Sequence, residues 1–165
     1  MTYAPDHALI ATPIGMIRLV ADGDALTHTA IEPDNSDPER PGSTPVLREA
    51  EAQILAYFTG ILRDFDLPLT PAASPRGEAL RAGIAGIGFG DMLSYGALAC
   101  ILDSGPRAVG QACARNPFPI VIPCHRVLAS GDKLGAYSGG RGPTTKLWLL
   151  DHESRHSGKV LPWPA

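Results

Sequence analysis

The chain has 165 residues, 44% hydrophobic and 19% charged, with a formal net charge of −3, a composition that suits one globular domain or two small ones. No apolar run approaches the roughly 20 residues of a membrane-spanning helix, and residues 1–10 include Asp6 and His7 and lack the basic and apolar stretches of a secretion signal, so no membrane association is expected. Three cysteines, Cys100, Cys113 and Cys124, without a CxxC pair, argue against a disulfide framework or zinc module and fit a reducing cytoplasm.

Residues 8–31 predict a hairpin, with strands over 16–20 and 26–31 separated by the turn cluster Asp22-Gly23-Asp24. Residues 32–44, rich in Pro, Asp and Ser, predict a surface loop. Pro45 suits the first position of a helix carrying Leu47, Ala50, Ile54, Tyr57 and Phe58 at helical spacing, with Gly60 as its stop. Residues 67–74 contain Pro68 and Pro71 and predict an edge strand running into a linker. The domain boundary is therefore placed there, giving domains 1–74 and 75–165.

Beyond it, helices are expected over 78–87, 93–102 and 107–115, the last stopped by Asn116-Pro117. The second and third flank a Gly-containing turn, which suggests a helix-turn-helix. Residues 118–122 form a short apolar run expected to be buried, and Pro143 opens a final helix with Leu147, Leu149 and Leu150. Charge is uneven along the chain. Residues 1–90 carry 6 Lys and Arg against 12 Asp and Glu, a net of −6, and residues 91–165 carry 8 against 5, a net of +3. A polyanionic partner should therefore meet the second half, with modest, salt-sensitive affinity.

The apolar run leads into Pro123-Cys124-His125-Arg126-Val127. Two readings of Cys124 stand: a buried inert thiol, or a nucleophile whose thiolate is favoured by a neighbouring base or positive charge. In an extended segment adjacent side chains point to opposite faces, so His125 reaches Cys124 only if the backbone turns or through a bridging water. Cys100 and Cys113 are expected to pack in the core.

The stretch Ile120-Val121-Ile122-Pro123-Cys124-His125-Arg126-Val127 resembles the signature of the O6-alkylguanine-DNA alkyltransferases. The resemblance extends through Ser94-Tyr95, Arg107-Ala108-Val109-Gly110, Asn116-Pro117, Gly135-Ala136-Tyr137-Ser138-Gly139-Gly140 and Lys146-Leu147-Trp148-Leu149-Leu150-Asp151-His152-Glu153. It covers residues 85–155 strongly and reaches Thr12-Pro13-Ile14-Gly15 more weakly. Relative to that pattern, the turn before Arg107 is shorter and the segment Arg141-Gly142-Pro143-Thr144-Thr145 is longer.

The resemblance implies an α+β fold: a ribonuclease H-like N-terminal domain of small β-sheet plus helix, and a mainly helical C-terminal domain with helix-turn-helix and active-site loop. It implies DNA repair by single-turnover transfer of an alkyl group from guanine O6 to Cys124. His125 would act as base through a water, oriented by Glu153. Asn116 would brace the cysteine turn, and Tyr95 would hydrogen-bond the purine. Arg107 would fill the place of a base flipped from the duplex, and Ala108 and Gly110 would allow close approach to the minor groove. Tyr137 and Ser138 would line the pocket, and the carbonyls of Cys124 and Val127 would read the guanine amino group. The implied partner is double-stranded DNA containing O6-alkylguanine, bound by a monomer without cofactor or metal. An alkyltransferase-like protein that binds lesions without repairing them is the alternative.

Overall fold

Consecutive burial of Ala8, Leu9 and Ile10 places a strand ahead of the expected hairpin. In a computed structural model, which describes residues 5–163, β1 (Asp6–Thr12), β2 (Gly15–Asp22) and β3 (Ala25–Glu32) form an antiparallel sheet in that order. Residues 1–4, part of the segment read for a secretion signal, and residues 164–165 lie outside the described residues. The β1–β2 turn depends on Gly15, whose φ is +113° and where a Cβ would lie 2.5 Å from the Pro33 Cα. α1 (Pro45–Phe58) packs on all three strands through a buried stripe that includes Leu47, Ala50, Ile54 and Tyr57. Thr44 caps it, its side-chain oxygen accepting from the Leu47 N–H. The expected edge strand over 67–74 shortens to one parallel bridge, Leu26 to Leu69. Pro68 and Pro71 have no N–H to extend the ladder.

The chain divides into two units, Met1–Thr70 and Pro71–Ala165. In the second, α2 (Pro75–Ala85) is capped by Ser74. β4 (Leu93–Ser94) pairs in parallel with β5 (Val127–Leu128), so these two residues are strand where helix was expected. α3 (Tyr95–Ile101) starts directly after them and packs on α4 (Pro106–Ala114) across a short turn. Ser94 belongs to both elements, since its side chain accepts from the Ala97 N–H at 3.0 Å as the α3 cap. Ser94→Ala should therefore lower stability by about 1 kcal/mol, read as a lower urea midpoint.

The apolar run 118–122 is buried but turned, closed by the Ile122 N–H on the Phe118 carbonyl at 2.8 Å. Ile120 has a φ of 76°, rarely occupied by a β-branched residue, and its side chain is 1% exposed. Packing holds this strained backbone in place. A 3₁₀ turn, Cys124–Arg126, follows before β5. α5 (Pro143–Ser157) ends at Gly158, whose φ of 74° makes it a left-handed cap. The architecture is α+β. Among the described residues no helix is long and apolar enough to cross a membrane.

Candidate active site

The turn at Cys124–Arg126 is what lets three consecutive side chains do different things. All three are buried. The Cys124 sulfur accepts from the Asn116 side-chain amide at 3.2 Å, and the same amide nitrogen donates to the Ile122 carbonyl at 2.8 Å. Asn116 in turn accepts from the Phe118 N–H at 3.0 Å. One side chain thus ties the end of α4 to both ends of the buried turn.

The sulfur opens on a cavity of about 160 Å³ lined by Tyr95, Gly110, Cys113, Ala114, Cys124, Ala136, Tyr137 and Ser138. Burial raises the Cys124 pKa above the usual thiol value, opposed by the Asn116 hydrogen bond and the Lys146 charge. Burial also raises Tyr95 and, more strongly, Tyr137, so both phenols are neutral hydrogen-bond donors at ordinary pH. The Tyr137 hydroxyl is buried without a partner among the described residues.

Behind the cysteine lies a fully connected charge cluster. His125 Nε2 and Glu153 Oε2 are 2.7 Å apart, both residues at 0% exposure. Arg126 donates its Nε to Glu153 Oε1 at 2.8 Å and its Nη2 to Oε2 at 3.1 Å, and sends Nη1 to the Ile87 carbonyl. The Gly90 N–H adds a bond to Glu153 Oε1 at 3.3 Å. Burial alone would push the Glu153 carboxyl upward, but His125 and Arg126 hold it well below the usual carboxylate range. Burial lowers the His125 pKa despite Glu153. Arg126 already balances the carboxylate, so the imidazole stays neutral. An ionised carboxylate only accepts, so Nε2 carries the proton and Nδ1 keeps its lone pair. That Nδ1 is buried without a partner among the described residues.

The site is therefore a neutral imidazole, oriented by a buried ion pair, next in sequence to a thiol at a small cavity. Of the residues singled out in the sequence, Cys124, Tyr95, Gly110, Tyr137 and Ser138 share the cavity, and Asn116, His125 and Glu153 support it. Arg107 is exposed in the first turn of α4, and neither it nor Ala108 lines the cavity. Val127 is buried, and its carbonyl accepts from Lys146 Nζ at 2.7 Å.

Residues 78–155 match the family model described as 6-O-methylguanine DNA methyltransferase, DNA binding domain. A methylated-DNA–protein-cysteine methyltransferase of Mycolicibacterium paratuberculosis is 34% identical over 161 residues, covering 94% of this chain and 96% of its own length. The chain belongs to this family. Its Haemophilus influenzae relative of the same name is 30% identical, over 92% and 84% of the two chains. Among solved structures, the O6-methylguanine methyltransferase of Mycobacterium tuberculosis superposes with a TM-score of 0.78 at 29% identity, over 93% and 94% of the two chains. The structure of that organism's OGT in complex with DNA gives 0.77 at 32% identity, over 91% and 93%.

In this methyltransferase family member, three residues of the site carry little signal in the sequence. From sequence Arg126 offers only a positive charge near Cys124, because its partner Glu153 is distant in sequence. Lys146 stands within a matched motif that implies no role for it. The available signal was its phase: Leu149, Leu150 and Glu153 follow at helical spacing and are buried, so Lys146 had to face the core. Cys113 is buried as expected but borders the cavity, whereas Cys100 is exposed and not core packing.

Proposed function

We propose that this chain repairs alkylated DNA by moving the alkyl group from O6-alkylguanine to Cys124. The observation that carries the reading is the sulfur at a cavity walled by two neutral phenols and small residues, backed by a neutral imidazole with a free lone pair. The Cys124 thiolate attacks the alkyl carbon, an S–C bond forms, and the C–O6 bond breaks with its electron pair leaving on the purine. His125 Nδ1 takes the thiol proton through a bridging water, and the Tyr95 phenol donates towards the purine. Atoms and electrons balance without a cofactor. The thioether product is not hydrolysed under cellular conditions, so each chain turns over once.

A guanine inside a duplex is out of reach of this sulfur, so the nucleotide is flipped into the cavity. α3 and α4 serve as the helix-turn-helix. Exposed Arg107 enters the duplex in place of the base, while Ala108 and Gly110 keep the α4 surface low against the minor groove. Gly110 also borders the cavity, which links the DNA-facing helix to the pocket. Ser138 donates its backbone N–H to O6, and the carbonyls of Cys124 and Val127 accept from the guanine amino group. The domain over residues 1–74, read as ribonuclease H-like, supports the 75–165 domain, and the protein acts as a cytoplasmic monomer.

The test is a titration of the protein into a duplex containing one O6-methylguanine. Restored guanine should rise in proportion to protein and stop at one equivalent. Binding without restoration would support the lesion-binding alternative, and restoration far beyond one equivalent would overturn the single-turnover mechanism.

A further inference from the structure

We infer that Arg81 of α2 is a positioning residue of this site: its guanidinium lies on the ring of Phe118 and holds the buried turn from which Asn116 braces the Cys124 sulfur. The inference rests on the acceptor role of Cys124 and adds to it a residue outside the cavity. Arg81 stands one turn before Ile84, the buried residue of α2, so its stem points inward. Its side chain is 17% exposed, and its Cζ sits 5.3 Å from the centroid of the Phe118 ring. Glu78, one turn earlier still, lies 3.7 Å from Nη1 and also accepts from the Ala72 N–H ahead of the helix. The guanidinium is thus held between a carboxylate and a ring.

A guanidinium is drawn to the negative face of an aromatic ring, most strongly where the pair is shielded from water. Phe118 is 0% exposed. The Arg81 head keeps part of its hydration, so the contact does not carry the cost of a fully buried charge. α2 packs against α3, α4 and the Cys124–Arg126 turn, and Arg81 gives that packing a polar anchor.

Phe118 is where the anchor acts on the sulfur. Its N–H donates to Asn116 Oδ1 at 3.0 Å, and its carbonyl accepts from the Ile122 N–H at 2.8 Å. The Asn116 amide nitrogen then donates to the Ile122 carbonyl and to Cys124 Sγ. Ring, backbone and brace form one closed unit, within which Ile120 holds its φ of 76°. A strained backbone keeps its geometry only while its surroundings fix it. Without the charge on the Phe118 ring the turn relaxes, and the Asn116–sulfur bond lengthens with it. Attack on an alkyl carbon tolerates little displacement, since about 1 Å of misplacement can cost about a hundredfold in rate.

One arm of the test needs no DNA, so failure of the inference and failure of the acceptor reading are told apart. In full-length protein, Arg81→Met keeps the stem and removes the charge. The Asn116 side-chain amide signals in NMR should shift from their positions in the unsubstituted protein. Arg81→Lys should give a smaller shift in the same direction, a comparison that applies even where Arg81→Met fails to fold. On the methylated duplex, the saturating single-turnover rate of Arg81→Met should fall by about five- to thirtyfold, the factor equivalent to a shielded cation–π contact. Duplex affinity should stay unchanged, and Arg81→Lys should recover most of the rate. Added to Phe118→Leu, Arg81→Met should lower the rate no further. Three results would overturn the proposal: Asn116 signals unmoved in folded Arg81→Met, or in Arg81→Lys where only that variant folds; reduced duplex affinity with an intact saturating rate; or losses that add across the two positions. An unsubstituted protein that transfers nothing would instead sink the acceptor reading and leave the amide signals to decide on Arg81.

Discussion

Glu153→Gln is expected to destabilise the second unit by about 3–5 kcal/mol, because the substitution leaves the Arg126 guanidinium buried without its counter-charge. The carboxylate accepts from Arg126, His125 and a backbone N–H in a setting from which water is excluded. Glutamine keeps the shape but offers one neutral acceptor oxygen. Both tryptophans, Trp148 and Trp163, lie in the second unit, so urea unfolding followed by their fluorescence reads that unit directly. A midpoint equal to that of the unsubstituted protein would show that the buried ion pair contributes nothing.

Acid should act on the same cluster, and the sign follows from its shifts. His125 and Glu153 both have folded-state pKa values below their ordinary ones. For each, the unfolded chain binds a proton at a pH where the folded chain resists it. The stabilisation is therefore present above the usual imidazole range. It weakens as pH falls through that range, and weakens again through the usual carboxylate range.

His125→Phe is expected to slow alkyl transfer by about 10²–10⁴-fold, the usual contribution of a positioned base, with lesion binding retained. The effect follows from the Nδ1 lone pair, left available because Nε2 is committed to Glu153. Single-turnover rates on the methylated duplex measure it. Since burial raises the Cys124 thiol, supplying alkaline pH should recover part of the lost rate by ionising the sulfur directly. A rate close to that of the unsubstituted protein at neutral pH would remove His125 from the proposed mechanism.

The sequence was informative where local chemistry decides the outcome. Pro45 after Thr44 marked the start of α1, and the turn cluster at Asp22–Asp24 marked the β2–β3 connection, because caps and turns are set by adjacent residues. β1 escaped notice because Ala8, Leu9 and Ile10 are all buried, which erases the alternation of a half-exposed strand. The short pairing of Leu93-Ser94 with Val127-Leu128 is a long-range contact and left no local trace.

The site divides along the same line. Cys124 beside His125 invited the reading of a nucleophile with a base, whereas spacing alone did not decide between an extended chain and a turn. The 3₁₀ turn resolves that point locally. The bond from Asn116 to the sulfur and the two-pronged Arg126–Glu153 pair join residues 8 and 27 positions apart. Only the assembled fold shows that Arg126 balances Glu153.

The most direct test of the account is the intact mass of the protein after incubation with an O6-methylguanine duplex, followed by peptide mapping. A gain of one methyl group per chain is expected, carried on Cys124 and absent from Cys124→Ala, which still binds the duplex. An unmodified Cys124 after full restoration of guanine, or a methyl group on Cys113 or Cys100 instead, would contradict it.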